Sequence, residues 1–234
     1  MSIRGSSPRS RRRKSAIETQ LAAGGSPEPT SANQREAPVI RRGARAPVWI
    51  ATVLGVGRLP VAPGTFGSLV GVALFLGFSH LGVALYAISL LALTALGVWA
   101  SGIAEQYFGS KDDGRIVIDE VVGQLWLLAP LVVLSPLDFL GLRSPDSGIS
   151  GFSSWCLLLV TGFVLFRVLD IAKPGPVGWA ERRFEGGMGV MADDVVAGAV
   201  GALLLTPIAY AVVVVRLASE AGVDARELLL GVVS

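Results

Sequence analysis

The chain of 234 residues is 52% hydrophobic and only 16% charged, where a soluble domain carries about 25% charged residues, so the composition argues against a soluble globular domain and for a membrane protein. One cysteine, Cys156, excludes a disulfide framework and a Cys-based zinc cluster, and one histidine, His80, excludes a multi-histidine metal site. The net charge of +2 joins two unlike parts: residues 1–47 hold ten Lys/Arg against three Glu, a balance of +7, and residues 48–234 hold ten Lys/Arg against fifteen Asp/Glu, a balance of −5.

Residues 1–47 are rich in Ser, Pro, Gly and Arg, include the run Arg11-Arg12-Arg13-Lys14 and show no apolar periodicity. A disordered basic tail is expected there, because too little apolar surface is available to offset chain entropy. No apolar core follows the first positive charges, so a secretory signal peptide is not expected. An organelle transit peptide shares this composition, but a solvated tail near anionic lipid is the simpler reading. The membrane-embedded part is expected over 48–234.

Uncharged stretches then recur at 59–104 (46 residues), 121–137 (17), 147–166 (20) and 195–215 (21). A spanning helix needs about 20 apolar residues, so the last two fit directly and the first is long enough for two crossings, with a break near Gly77-Phe78-Ser79-His80. Pro60 and Pro63 confine the first arm to roughly 64–78, short for a hydrocarbon core of about 30 Å. Segment 121–137, interrupted by Pro130, is short unless Ile116 to Ile118 extend it. The expected fold is all-α, a polytopic helical membrane protein with about four to five membrane helices. With five crossings and the tail inside, seventeen Lys/Arg lie inside and three (Arg143, Arg216, Arg226) outside, or seven against three without the tail.

Carboxylates at the edge of hydrocarbon are costly and mark function. Five stand in or beside apolar runs: Asp119 and Glu120 in DDGRIVIDEVVG (112–123), Asp170 in FRVLDIAKPGPVGW (166–179), and Asp193 and Asp194 in GGMGVMADDVVAG (186–198). The five-crossing topology opens all three segments on the cytoplasmic side. Acidic pairs without histidine or thiol suit a hard divalent cation, Mg²⁺ first, whose shell is commonly completed by waters and substrate phosphate. The plainer reading is that each pair caps a helix N-terminus.

Arg167, Asp170 and Lys173 are spaced by three, which puts them near one helical face, with Pro174 ending the helix. They read either as ion pairs or, for Arg167 and Lys173, as phosphate ligands. In PGTFGSL (63–69), Gly64, Thr65 and Ser68 offer N–H groups and hydroxyls at a helix N-terminus, a natural anion site. Gly186, Gly187 and Gly189 would let backbone approach a ligand, and Ala197, Gly198 and Gly201 form a face for close helix packing.

These four strings occur in the order and context of phosphatidylglycerophosphatase A, the bacterial membrane lipid phosphatase family, which residues 48–215 resemble. The resemblance implies Mg²⁺-dependent hydrolysis of phosphatidylglycerophosphate to phosphatidylglycerol and phosphate at the inner membrane, with the active site facing the cytoplasm and no nucleic-acid partner. Carried over residue by residue, it implies Asp119, Glu120, Asp170, Lys173, Asp193 and Asp194 as the catalytic site. Asp119, Glu120, Asp193 and Asp194 would hold metal, and Arg167, Lys173, Gly64, Thr65 and Ser68 the substrate. Gly175 and Ala192 stand where the family often has larger side chains, which bears on lipid contacts more than on chemistry.

The exclusions agree with the resemblance. A thiol phosphatase needs an Arg six positions after its Cys, and Cys156 has Gly162 there. A phosphohistidine mechanism cannot run on His80 alone, and the DxD signature of soluble aspartate phosphatases is absent. Carboxylate-plus-metal chemistry remains, with water or an Asp as nucleophile. Two alternatives are an alcohol phosphatidyltransferase, whose DxxDGxxAR-type motif is missing, and a transporter using intramembrane acids as a relay.

Overall fold

The computed structural model describes residues 44–111, 113–134 and 148–220. Among these there are helices and no strand, the class expected. Most of the expected basic tail lies outside the described residues. The short helix α1 (Arg45–Ala51) straddles the expected boundary at 47/48.

The long apolar stretch divides as its length required. Helix α2 (Pro63–Phe78) starts on Pro63, whose missing N–H is harmless in a first turn. A single 3-10 turn, Ser79–Leu81, and Gly82 at φ 77° reverse the chain into α3 (Val83–Phe108). Gly82 permits this reversal because a side chain is disfavoured at that φ. After α3 come α4 (Ile118–Leu134), α5 (Gly148–Ala172), the short α6 (Pro176–Arg183) and α7 (Gly186–Glu220).

Four segments among the described residues are long and apolar enough to cross a membrane: Pro63–Leu81, Val83–Phe108, Ser153–Ala172 and Gly186–Arg216. Their outer faces carry exposed apolar side chains, including Leu85, Ile88 and Leu91 on α3, Val160, Val164 and Val168 on α5, and Leu203 and Ile208 on α7. Water would penalise this surface and lipid would not, so the bundle is a polytopic membrane protein.

Helix α4 sits at the centre and is packed by α2, α3, α5 and α7, most extensively by α7. Its 17 residues span about 26 Å. Val121, Val122, Leu125, Leu127, Leu128 and Leu131 are all buried, as expected of a helix apolar on every side. Close packing depends on small residues: a Cβ on Gly198 would overlap the Gly123 carbonyl, and one on Gly201 would overlap Leu127. Polar clamps add to it. Tyr86 on α3 donates its hydroxyl to the Leu125 carbonyl at 2.7 Å, and the Trp126 indole donates to Thr94 Oγ1 at 3.2 Å.

The expected role of Gly187 and Gly189 in the GGMG string changes. Gly187 fits against the Val98 carbonyl and Gly102 of α3, and Gly189 against the Phe184 carbonyl. These two positions are filled by backbone and serve packing, whereas Gly186 has open space around it and adopts φ 60°, which side chains disfavour. The starts of α2, α4 and α7 and the ends of α3 and α5 thereby meet at one end of the bundle.

Candidate active site

At that end, α4 opens on Asp119 and Glu120, both in its first turn. The Asp119 carboxylate accepts the Glu120 N–H at 3.1 Å, and acids in this position are favoured by the helix dipole. The capping reading fails for the second pair. Asp193 and Asp194 lie two turns inside α7, whose first turn holds no acid, so the dipole does not account for them.

Carboxylate oxygens of Asp119, Glu120 and Asp194 lie within 4.8 Å of one another. Asp119 and Asp194 are buried, and Glu120 Oε2 is buried with no hydrogen-bond partner. Asp170 faces both Asp194 and Glu120. Carboxylates gathered this closely away from water repel one another unless a cation or proton intervenes. An all-oxygen, acidic donor set with an unused oxygen fits a hard divalent cation.

Asp193 is turned elsewhere. Its Oδ2 accepts from Lys173 Nζ at 2.8 Å, and the same ammonium donates to Glu181 Oε1 of α6 at 2.7 Å. Successive residues on a helix diverge by about 100°, so Asp193 and Asp194 serve different neighbours. Burial alone would lower the Lys173 pKa, but the Asp193 and Glu181 carboxylates hold it above the ordinary lysine value. Glu181 was not singled out from the sequence, since nothing in its local pattern separates it from a solvated helix charge.

The triad spaced by three does not share one face. Arg167 and Asp170 pair within α5 at 2.7 Å, but the helix ends at Ala172 and Lys173 adopts φ 43°. The Lys173 N–H still closes the last turn on the Leu169 carbonyl at 2.9 Å, and Pro174 follows. A left-handed lysine costs on the order of 1–3 kcal/mol, and such strain concentrates at functional sites.

PGTFGSL lies directly against the acids. A Cβ on Gly64 would overlap Glu120 Oε1 and approach Arg167 Nη1 at 3.4 Å. The positive end of α2 therefore faces a carboxylate and a guanidinium. Ser68 Oγ donates to the Gly64 carbonyl at 3.0 Å and accepts from Arg167 Nη1 at 3.4 Å. The Thr65 N–H is spent on the Ala62 carbonyl at 3.0 Å. Arg167 Nε is buried without a partner. Every site residue expected from the sequence thus lies at this end of the bundle. Asp119, Glu120 and Asp194 form its centre, with Asp170, Arg167, Gly64, Thr65 and Ser68 on one flank and Asp193 with Lys173 on another. His80 lies in the turn after α2, at the opposite end of that helix.

Buried oxygens able to hold a divalent cation, beside a guanidinium and an ammonium, suit binding and hydrolysis of a phosphate ester. The comparisons with known proteins point the same way. The sequence profile of phosphatidylglycerophosphatase A matches residues 49–209. The chain is 33% identical over 156 residues to phosphatidylglycerophosphatase A of Escherichia coli (strain K12), covering 67% of this chain and 79% of that one. It is 33% identical over 162 residues to phosphatidylglycerophosphatase A of Haemophilus influenzae, covering 69% and 87%. A Bacteroides thetaiotaomicron protein provisionally named a phosphatidylinositol-3-phosphatase is 34% identical over 171 residues, covering 71% and 95%. No solved structure matches the chain. With the profile spanning most of the bundle and all four motifs, the chain is an enzyme, a phosphatase belonging to the phosphatidylglycerophosphatase A family.

Proposed function

We propose that the chain hydrolyses phosphatidylglycerophosphate to phosphatidylglycerol and inorganic phosphate, as a step of phosphatidylglycerol biosynthesis at the cytoplasmic face of a bacterial inner membrane. The carrying observation is the convergence of the Asp119, Glu120 and Asp194 carboxylates at one end of an apolar bundle. These three residues would hold Mg²⁺, which when bound neutralises phosphate charge and activates the ester.

The protein's own groups do the rest. Arg167 and Lys173 bind phosphate oxygens, each held ready by a carboxylate partner, Asp170 and Asp193 respectively. Asp193 therefore acts through Lys173. A carboxylate of the cluster takes a proton from the attacking water as its oxygen bonds to phosphorus. The phosphorus–oxygen bond to the glycerol breaks, and the leaving oxygen takes up a proton. Arg58, Arg115, Arg182 and Arg183 flank the same end of the bundle, a bias that supports a cytoplasmic site.

The test is phosphate release by the purified protein in mixed micelles with phosphatidylglycerophosphate, with EDTA and with Mg²⁺ restored. Release that EDTA abolishes and Mg²⁺ recovers is expected. Phosphatidylinositol 3-phosphate belongs in the same panel, since one relative is named for that substrate. Hydrolysis of that lipid alone would overturn the substrate assignment.

A further inference from the structure

Gln124 is fully buried on α4, and neither its amide nitrogen nor its amide oxygen has a hydrogen-bond partner. It lies one turn beyond Glu120, at i+4, and so on the same helical face. The facing helix keeps that register: Gly67 of α2 packs on the Glu120 Cβ, and Gly71 packs on the Gln124 Cβ at the tight approach of the two helices. An amide left unsatisfied in an apolar bundle is costly, and leucine or methionine would fill the same space without that penalty. A polar group that the free chain does not itself supply is therefore expected to meet it.

Its position indicates which group. Gln124 lies about 6 Å further along α4 from Glu120, toward the middle of the bundle. A lipid whose terminal phosphate sits at the acidic cluster must run from there toward the hydrocarbon, because its acyl chains remain in the bilayer. The first polar atoms met on that path belong to the polyol linking the two phosphate groups. Arg167 Nε, buried and unpartnered, stands on the neighbouring helix α5, and Arg167 reaches α2 at Ser68, one turn before Gly71.

We propose that Gln124, placed one turn deeper than Glu120 against Gly71, is a specificity-determining residue whose amide hydrogen-bonds the free hydroxyl of a polyol-linked lipid phosphate. The inference rests on the lipid-phosphate substrate proposed above and adds the group that reads the linker. A carboxamide suits a hydroxyl because it both donates and accepts. A site built to bond a hydroxyl also discriminates strongly against the analogue lacking it.

The experiment compares phosphatidylglycerophosphate with an analogue in which propanediol replaces the linking glycerol, so that only the hydroxyl is missing. Full-length wild type, Gln124→Leu and Gln124→Met are assayed on both lipids in the same preparations, so that the ratio of the two rates does not depend on the folded fraction. Wild type is expected to favour the hydroxyl lipid at least tenfold in kcat/KM. Both variants are expected to lose that factor on the hydroxyl lipid and to hydrolyse the deoxy lipid as wild type does. Wild-type indifference to the hydroxyl, or a variant that loses both lipids equally or loses all activity, would mean that Gln124 meets only a buried water or a packing need, and would overturn the inference. Wild type inert toward both lipids would overturn the substrate reading beneath it.

Discussion

Gly64 leaves the space that Glu120 occupies: a methyl group at position 64 would overlap Glu120 Oε1. The first glycine of PGTFGSL is thereby tied to the acidic cluster across two helices. Gly64→Ala is expected to displace the Glu120 carboxylate, and displacements near 1 Å cost on the order of 100-fold in rate. Activity assays on the purified variant should show that loss with a thermal midpoint close to wild type, because alanine is tolerated in a first helical turn.

Asp193 and Asp194 are adjacent, yet one meets Lys173 and the other the acidic cluster. Asp194→Asn is expected to weaken divalent-cation binding about tenfold or more, the scale of one charge-assisted contact. Asp193→Asn should leave cation affinity within a few-fold of wild type while lowering turnover. Calorimetric titration with Mg²⁺ separates the two, and equal losses of affinity would contradict this division.

Lys173 is held charged by Asp193 and Glu181. Because its pKa is raised, the pairing is complete at neutral pH and is lost only as pH climbs past the ordinary lysine range. No limb of the pH–rate profile between about pH 6 and 9 should then belong to Lys173. A Glu181→Gln variant should retain the wild-type profile shape across that interval, and an inflection appearing within it would show that Glu181 contributes more to the charge state than the geometry implies.

Three carboxylates within 4.8 Å of one another, those of Asp119 and Asp194 buried and that of Glu120 half-buried, are mutually repulsive. A cation that binds only the folded chain should stabilise it, by about 2.7 kcal/mol at a hundredfold excess over Kd. Thermal unfolding in detergent is expected to shift upward with Mg²⁺ and back with EDTA. Asp119→Asn, which removes one of the repelling charges, should raise the cation-free midpoint and shrink the shift.

Gly198 packs its backbone on Gly123, joining the helix that carries Asp194 to the helix that carries Asp119 and Glu120. Gly198→Val is expected to force α7 away from α4 and to cost about 1–3 kcal/mol of stability. Its activity should fall further than stability alone predicts, since the carboxylates separate. Comparison of thermal midpoint and kcat in the same preparation checks this.

The sequence by itself determined the helices, because a membrane obliges each segment to satisfy its own backbone, and that requirement is met locally. The break expected near 77–80 falls at 79–82, and α4 takes up the extension back to Ile118 on which the length of 121–137 depended. The gathering of acids at one end was legible from the five-crossing reading. Gln124 carried a signal of its own, as the one amide side chain within the uncharged run 121–137. What the sequence left open was the assignment of roles among neighbours. Only the packed bundle decided that α4 is enclosed, that Asp194 joins Asp119 and Glu120, and that Asp193 turns to Lys173 and through it to Glu181. Such choices depend on how helices are rotated against one another. A rotation of about 100° exchanges two adjacent residues, and close contacts such as those at Gly64, Gly71 and Gly198 set that angle.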